Sequence, residues 1–259
     1  MKRLAVFLAA GALVFSTTGC FEFEETIELN QDLSGKAGVR IGIDFEPMVA
    51  IMTQVKREME GLKGPPTQAE LAEARKSFVQ QSKSEPKEDP EKMRAEIEQE
   101  LPEGVKLLEA KIEEKELGML SSFLFEFDKL SRLTEVTLPS SGDDPTKKNV
   151  FDSPFEGLEI KEKGNTITIS TKPQNPTNSV REETQQNAEV DPETEKMMED
   201  AFKNLRVAYR ITAPFEVVSH NATRVEGKTL IWEYDMETFK KMEKSKKPVD
   251  TSVMVTFRK

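Results

Sequence analysis

Among 259 residues there are one histidine, one cysteine, one tryptophan and two tyrosines, and these scarcities close off several chemistries. A Cys/His metal site needs several such ligands, and one of each does not supply them. A Ser–His–acid triad would have to use His220, beside which Ser219 is too close along the chain to act as nucleophile. One cysteine forms no disulfide within the chain. Neither a glycine-rich phosphate loop nor a G-x-S-x-G elbow is present, and no cofactor is implied. Long hydrophobic runs are missing too. The apolar stretch over residues 4–15 falls short of the about twenty residues that span a bilayer.

Positive charge is in deficit. Thirty-seven lysines and arginines face 47 acids, a formal charge of −10, which becomes −12 once Lys2 and Arg3 are discounted. Such a surface repels phosphate, so there is no footprint for nucleic acid and no attraction to anionic lipid. Apolar content of 36% is low for a globular chain and charged content of 32% is high. These values predict a modest core with solvated insertions, stabilised by packing alone.

What is present begins at the N-terminus. Met1-Lys2-Arg3, the apolar run and Ser16-Thr17-Thr18-Gly19-Cys20 follow the order of a secretory signal: basic start, short apolar stretch, small residues before a cut. No Ala-x-Ala-like site is present. Small residues lead straight into the only cysteine, an arrangement that resembles the lipobox of bacterial lipoproteins. The resemblance implies cleavage of residues 1–19, with lipid on the thiol of Cys20 as the new N-terminus. Thr17 departs from the pattern, since an aliphatic residue is usual there. An unused thiol in an exported protein is a liability, which favours a role for Cys20. Two or more acyl chains anchor stably where one is marginal.

Residues 20–259 read as a single α+β domain, an antiparallel sheet built from hairpins and covered by amphipathic helices, on a flexible lipidated start. Residues 21–46 alternate polar and apolar on either side of Asn30-Gln31-Asp32-Leu33-Ser34-Gly35, a hairpin signal. The D-x-S-G character of that cluster lacks the further oxygen ligands of an EF-hand-type loop, so it reads as a turn. Pro47 opens a helix whose stripe Met48, Met52, Val55, Met59 and Leu62 is expected to pack on the sheet. A solvated insertion is expected over about 64–100, containing a helix over 68–81 and a short charged helix up to residue 100. Hairpins are predicted at 104–127 and 158–171, with a loop at 140–149 and a mobile segment at about 172–192. A helix over 193–205, a strand over 206–218, a turn at His220-Asn221-Ala222, a strand over 228–235, a helix over 236–244 and a strand over 252–258 complete the chain. Asn221-Ala222-Thr223 fits a glycosylation acceptor, coincidental behind a bacterial signal.

Two stretches together resemble LppM-like bacterial lipoprotein domains. One runs from Thr26-Ile27-Glu28-Leu29 through Gly35. The other is Tyr209-Arg210-Ile211-Thr212-Ala213-Pro214-Phe215 through Asn221-Ala222, followed by Gly227-Lys228-Thr229-Leu230-Ile231-Trp232. The resemblance covers the two ends only. It implies a membrane-anchored α+β domain with lipid or envelope-component binding among its roles, and carries over no functional residue beyond Cys20.

The function expected is that of a non-enzymatic envelope lipoprotein. It would be exported and lipid-anchored to the cell membrane or outer membrane, facing the periplasm or exterior, and would bind an envelope lipid or a protein partner. An apolar ligand would meet Phe123, Phe125, Met52 and Met198 if a cavity lies between sheet and helices. An envelope assembly factor is the alternative, and a hydrolase using two carboxylates is a third reading. No metal site is expected.

Overall fold

The computed structural model describes residues 21–84, 89–138, 155, 157–171, 192–244 and 252–259. A hairpin of β1 (Phe21–Leu29) and β2 (Gly35–Asp44) leads into helices α1 (Glu46–Met59), α2 (Gln68–Ser84) and α3 (Pro90–Glu100). The hairpin β3 (Val105–Lys115) and β4 (Gly118–Phe127) precedes a 3-10 turn at Leu130–Glu135, and β5 (Leu158–Lys163) and β6 (Thr166–Thr171) make a third hairpin. Then come α4 (Pro192–Phe202), β7 (Arg206–Thr212), β8 (Glu216–His220), β9 (Arg224–Glu226), β10 (Thr229–Asp235), α5 (Met236–Lys244) and β11 (Met254–Arg258). The expected loop at 140–149 and nearly all of the segment at 172–192 lie outside the described residues.

The strands form two sheets, one ordered β3-β4-β2-β1-β7-β10-β9 and the other β5-β6-β11-β8. Their pairs are antiparallel except that β1 runs parallel to β7, setting Glu22 beside Arg206 and Ile27 beside Ile211. The α+β class expected from the sequence is what the chain adopts. Each hairpin turn has a local cause. Asp32 Oδ1 accepts from the backbone N–H of Ser34 at 3.1 Å and from its hydroxyl at 2.6 Å, so this carboxylate closes a turn. At Gly35 a Cβ would fall 2.0 Å from the carbonyl oxygen of Glu28, too close for any other residue.

Period-2 alternation builds the core. Phe23, Ile27 and Leu29 of β1, Val39 and Ile41 of β2, Phe123, Phe125 and Phe127 of β4, and Leu230, Trp232 and Tyr234 of β10 are buried in one cluster. Ile167, Ile169, Val255 and Phe257 of the smaller sheet belong to the same cluster, together with Phe155. Much of the face expected to lie under helices therefore lies under a second sheet. The helices contribute Met93 and Ile97 of α3 and Phe239 of α5. The insertion over 64–100 is thus not solvated throughout, because α3 returns to the core.

The helices start where the sequence supplies caps. Asp89 accepts from the N–H of Glu91 at 3.0 Å ahead of Pro90. Thr67 and Glu70 form a reciprocal capping box at the start of α2: the Glu70 carboxylate accepts from the Thr67 N–H at 2.7 Å, and the Thr67 hydroxyl from the Glu70 N–H at 3.3 Å.

Two expectations are corrected. The stripe on α1 is not core. Met48, Met52, Val55, Met59 and Leu62 are exposed, whereas Val49, Thr53 and Gln54, on the other side of the helix, are buried. The packed side is held by polar contacts. Arg57 donates to the carbonyls of Lys63 and Gly64 at 3.1 and 3.3 Å and pairs with Glu70 of α2, which fixes the turn of the helix about its axis. The strand expected over 206–218 is two strands in different sheets. Pro214, which has no N–H to offer a ladder, stands in the break between β7 and β8.

After β8 the chain returns through Asn221, which ties the sheets together. Its Oδ1 accepts from Trp232 Nε1 at 2.6 Å in β10 and from the N–H of Met254 at 2.8 Å in β11. Its Nδ2 donates to the carbonyl of Ser252 at 2.8 Å. The amide nitrogen that an acceptor sequence would glycosylate is thus engaged inside the fold. We expect Asn221→Ala to cost about 2–4 kcal/mol in urea denaturation, because it strands the buried Trp232 N–H as well as losing bonds to β11. A loss below about 0.5 kcal/mol, the range of ordinary surface changes, contradicts the clamp.

Candidate functional site

Of the residues the sequence singles out, Cys20 lies outside the described residues, but its neighbour does not. Phe21 is already in β1, paired with Ile43. The chain is therefore in the sheet from the residue next to Cys20 onward. Phe125 is fully enclosed, its ring edge-to-face with Phe155 at 6.4 Å, and Phe123 shares the same buried row. Met52 lies outside, 60% exposed. The Met198 side chain is outside the described residues. The structure thus buries the two phenylalanines in the core and places Met52 on the surface.

The end of the large sheet next to the anchor position collects several elements. There β1 starts, β2 passes into α1, β3 turns into β4, α4 leads into β7, and β10 leads into α5. The N–H of Phe45 donates to the carbonyl of Leu117 at 2.9 Å, pinning the start of α1 to the β3–β4 turn. Asp44 caps the helix by accepting from the Glu46 N–H at 2.9 Å. At the opposite end, an open groove of about 650 Å³ is lined by Glu28, Glu126 and Asp128 together with Lys36 and Lys106. Its mixed charges suit a polar or ionic contact.

Alternate residues of β1 treat their carboxylates in opposite ways. On one face Arg206 Nη1 reaches Glu22 at 2.8 Å and Glu24 at 2.9 Å, and its Nε reaches Glu233 at 2.6 Å. Arg210 Nε is 3.2 Å from Glu24, close enough for an ion pair though not aligned for a hydrogen bond. On the core face stands Glu25, between Val39 and Tyr209 in register and 5% exposed. No hydrogen bond or ion pair from the described residues reaches it. Burial pushes its pKa up to about 8, so the group is largely protonated at neutral pH. Burial also raises the Tyr209 phenol, with the Glu25 charge adding to the effect.

Sequence reasoning passed over Glu25, although the signal was there. It has the parity of Phe23, Ile27 and Leu29, and a carboxylate in register with a core stripe is an anomaly. Chemically it is a lone acid whose register neighbours are a valine and a tyrosine, not a second carboxylate. Among the described residues, no group of three or more His, Cys, Asp and Glu is placed to hold a metal ion. None of their helices is long and apolar enough to cross a membrane. His220 ends β8 in the open, its Nδ1 accepting from the N–H of Ala222 at 3.1 Å.

The buried acid has a pH signature. With its pKa raised from 4.5 to about 8, the folded state holds this proton more tightly than the unfolded chain. Its contribution is fully present below about pH 4.5 and is lost as pH rises through about 8, by up to about 1.4 kcal/mol per pH unit. Glu25→Gln is expected to raise the urea midpoint at pH 8, leave it nearly unchanged at pH 4, and flatten the profile between. A parallel pair of profiles would show that Glu25 is not buried as an acid.

No family model matches the chain, and no curated protein matches it. Among solved structures, the NMR structure of the folded domain of the Mycobacterium tuberculosis LppM protein is similar. It aligns over 95% of this chain and 94% of that one, at 10% identity and a TM-score of 0.44. At that score and identity, the likeness transfers neither residues nor a role.

Proposed function

We propose that this chain is an exported bacterial lipoprotein that is held at a membrane by lipid on Cys20 and works there by binding an envelope component. The observation that carries the reading is the junction at residue 20. A signal-type leader ends at the one cysteine of the chain, and the folded domain begins at the next residue, Phe21. A tether of one peptide bond keeps the sheet end at the bilayer surface, about 4 Å of chain from the anchored cysteine. The groove of Glu28, Lys36, Lys106, Glu126 and Asp128 then lies at the far end of the strands, directed away from that surface. Its open, charged lining supports contact with a polar partner such as a headgroup or a protein surface. The role is one of binding and position, and the ion pairs of the large sheet stiffen the platform.

Replacing Cys20 with Ser tests the anchor. The wild-type protein is expected in the membrane fraction and in the detergent phase of a Triton X-114 partition, with a mass increase on its N-terminal peptide. The variant is expected in the aqueous phase, uncleaved or unlipidated. A Cys20→Ser protein that partitions like the wild type contradicts the reading.

A further inference from the structure

We infer that α1 lies on the same bilayer that holds the anchor, with Met48, Met52, Val55 and Met59 dipped into the boundary between headgroups and acyl chains. The inference deepens the lipoprotein reading and rests on it. Three observations carry it.

The first is inverted amphipathicity. The packed side of α1 holds Val49, Thr53, Gln54 and Arg57, while the outward side holds three methionines and a valine. Met59 is 85% exposed and Met52 60%. Among the described residues nothing covers this apolar stripe while polar side chains face the neighbouring helices, and such a stripe is the mark of an interfacial helix. Its orientation is not free to relax, because Arg57 holds α1 to α2 through two carbonyls and Glu70, and the Arg75 guanidinium of α2 pairs with Glu46.

The second is position. The described residues begin at Phe21, which follows Cys20 in sequence and pairs in β2 with Ile43, three residues before α1 begins. From strand spacing and chain reach, the start of α1 stands within roughly 20 Å of the anchored residue. The helix thus starts at the end of the sheet where β1 begins, and its length of roughly 20 Å lets it lie along a surface.

The third is chemistry. Methionine side chains are flexible and polarisable, which suits an irregular, mobile apolar boundary. The outward charges of α1 nearly cancel. Lys56 and Glu60 are exposed and 4.0 Å apart, so attraction to anionic lipid is not required and the contact should be insensitive to salt. The stripe adds interfacial area to an attachment that the acyl chains of Cys20 would already make stable.

Site-directed spin labelling of the full, lipidated chain tests this, with Met52→Cys and Met59→Cys in turn and Lys161→Cys on the small sheet as the remote control. Cys20 is occupied by lipid, so each variant offers one free thiol. In phosphatidylcholine–phosphatidylglycerol vesicles, labels at 52 and 59 should be several-fold more accessible to oxygen than to a water-soluble nickel complex. The label at 161 should show the reverse, and neither result should change in high salt. Protein that floats with the vesicles but leaves labels 52 and 59 open to nickel overturns the inference and spares the anchor. Labels shielded from both reagents point to a protein neighbour and also overturn it. Protein that does not float removes the anchor reading and the inference together.

Discussion

The fold turns on one asparagine. Two sheets that belong to the same core are joined by a chain that leaves the large sheet after Thr212, runs through β8, and comes back at Asn221. Every hydrogen-bonding valence of that side chain except one N–H is used, on a tryptophan of one sheet and on two backbone groups at the start of β11 in the other. Trp232 can be wholly buried because its N–H has this partner. Without it the largest side chain of the core would carry an unpaired donor. A protein with no disulfide must hold its layers by such contacts and by packing.

The carboxylates of β1 show how burial and pairing divide the work of a single strand. Glu22 and Glu24 face two arginines of β7 across the parallel pair, where partial burial strengthens attraction and the partners offset desolvation. Glu25 faces the core with no partner among the described residues, and burial favours its neutral form. The cost of the second arrangement is tolerable only because the proton, not a naked charge, is buried. A residue of this kind makes the core responsive to alkaline conditions.

The helices at the anchor end invert the usual relation of pattern to packing. Period alone predicts that a stripe of methionines turns inward. Here a single arginine and two capping carboxylates orient α1, and the stripe is left for another surface. Polar contacts at a helix end can settle rotation because they are directional, whereas a methionine stripe gains nearly as much from a lipid boundary as from a protein core.

Much of this protein was legible in its sequence. Alternation placed the strands of the hairpins at 21–46, 104–127 and 158–171, Pro47 placed the start of α1, and the leader ending at the lone cysteine carries the anchor proposal. These are local signals, written in residues a few positions apart. The parallel pairing of β1 with β7, the break at Pro214, the second sheet under the aromatic face and the burial of Glu25 were not legible, since each depends on residues brought together from distant parts of the chain. Period identifies two faces of a strand or helix. Which face is covered, and by what, is a property of the neighbours that tertiary structure supplies, so sequence alone determined most of the elements and no more. Only the fold decided that Phe123 and Phe125 face inward, that the Glu25 carboxyl is buried beside Val39 and Tyr209, and that the methionines of α1 face out.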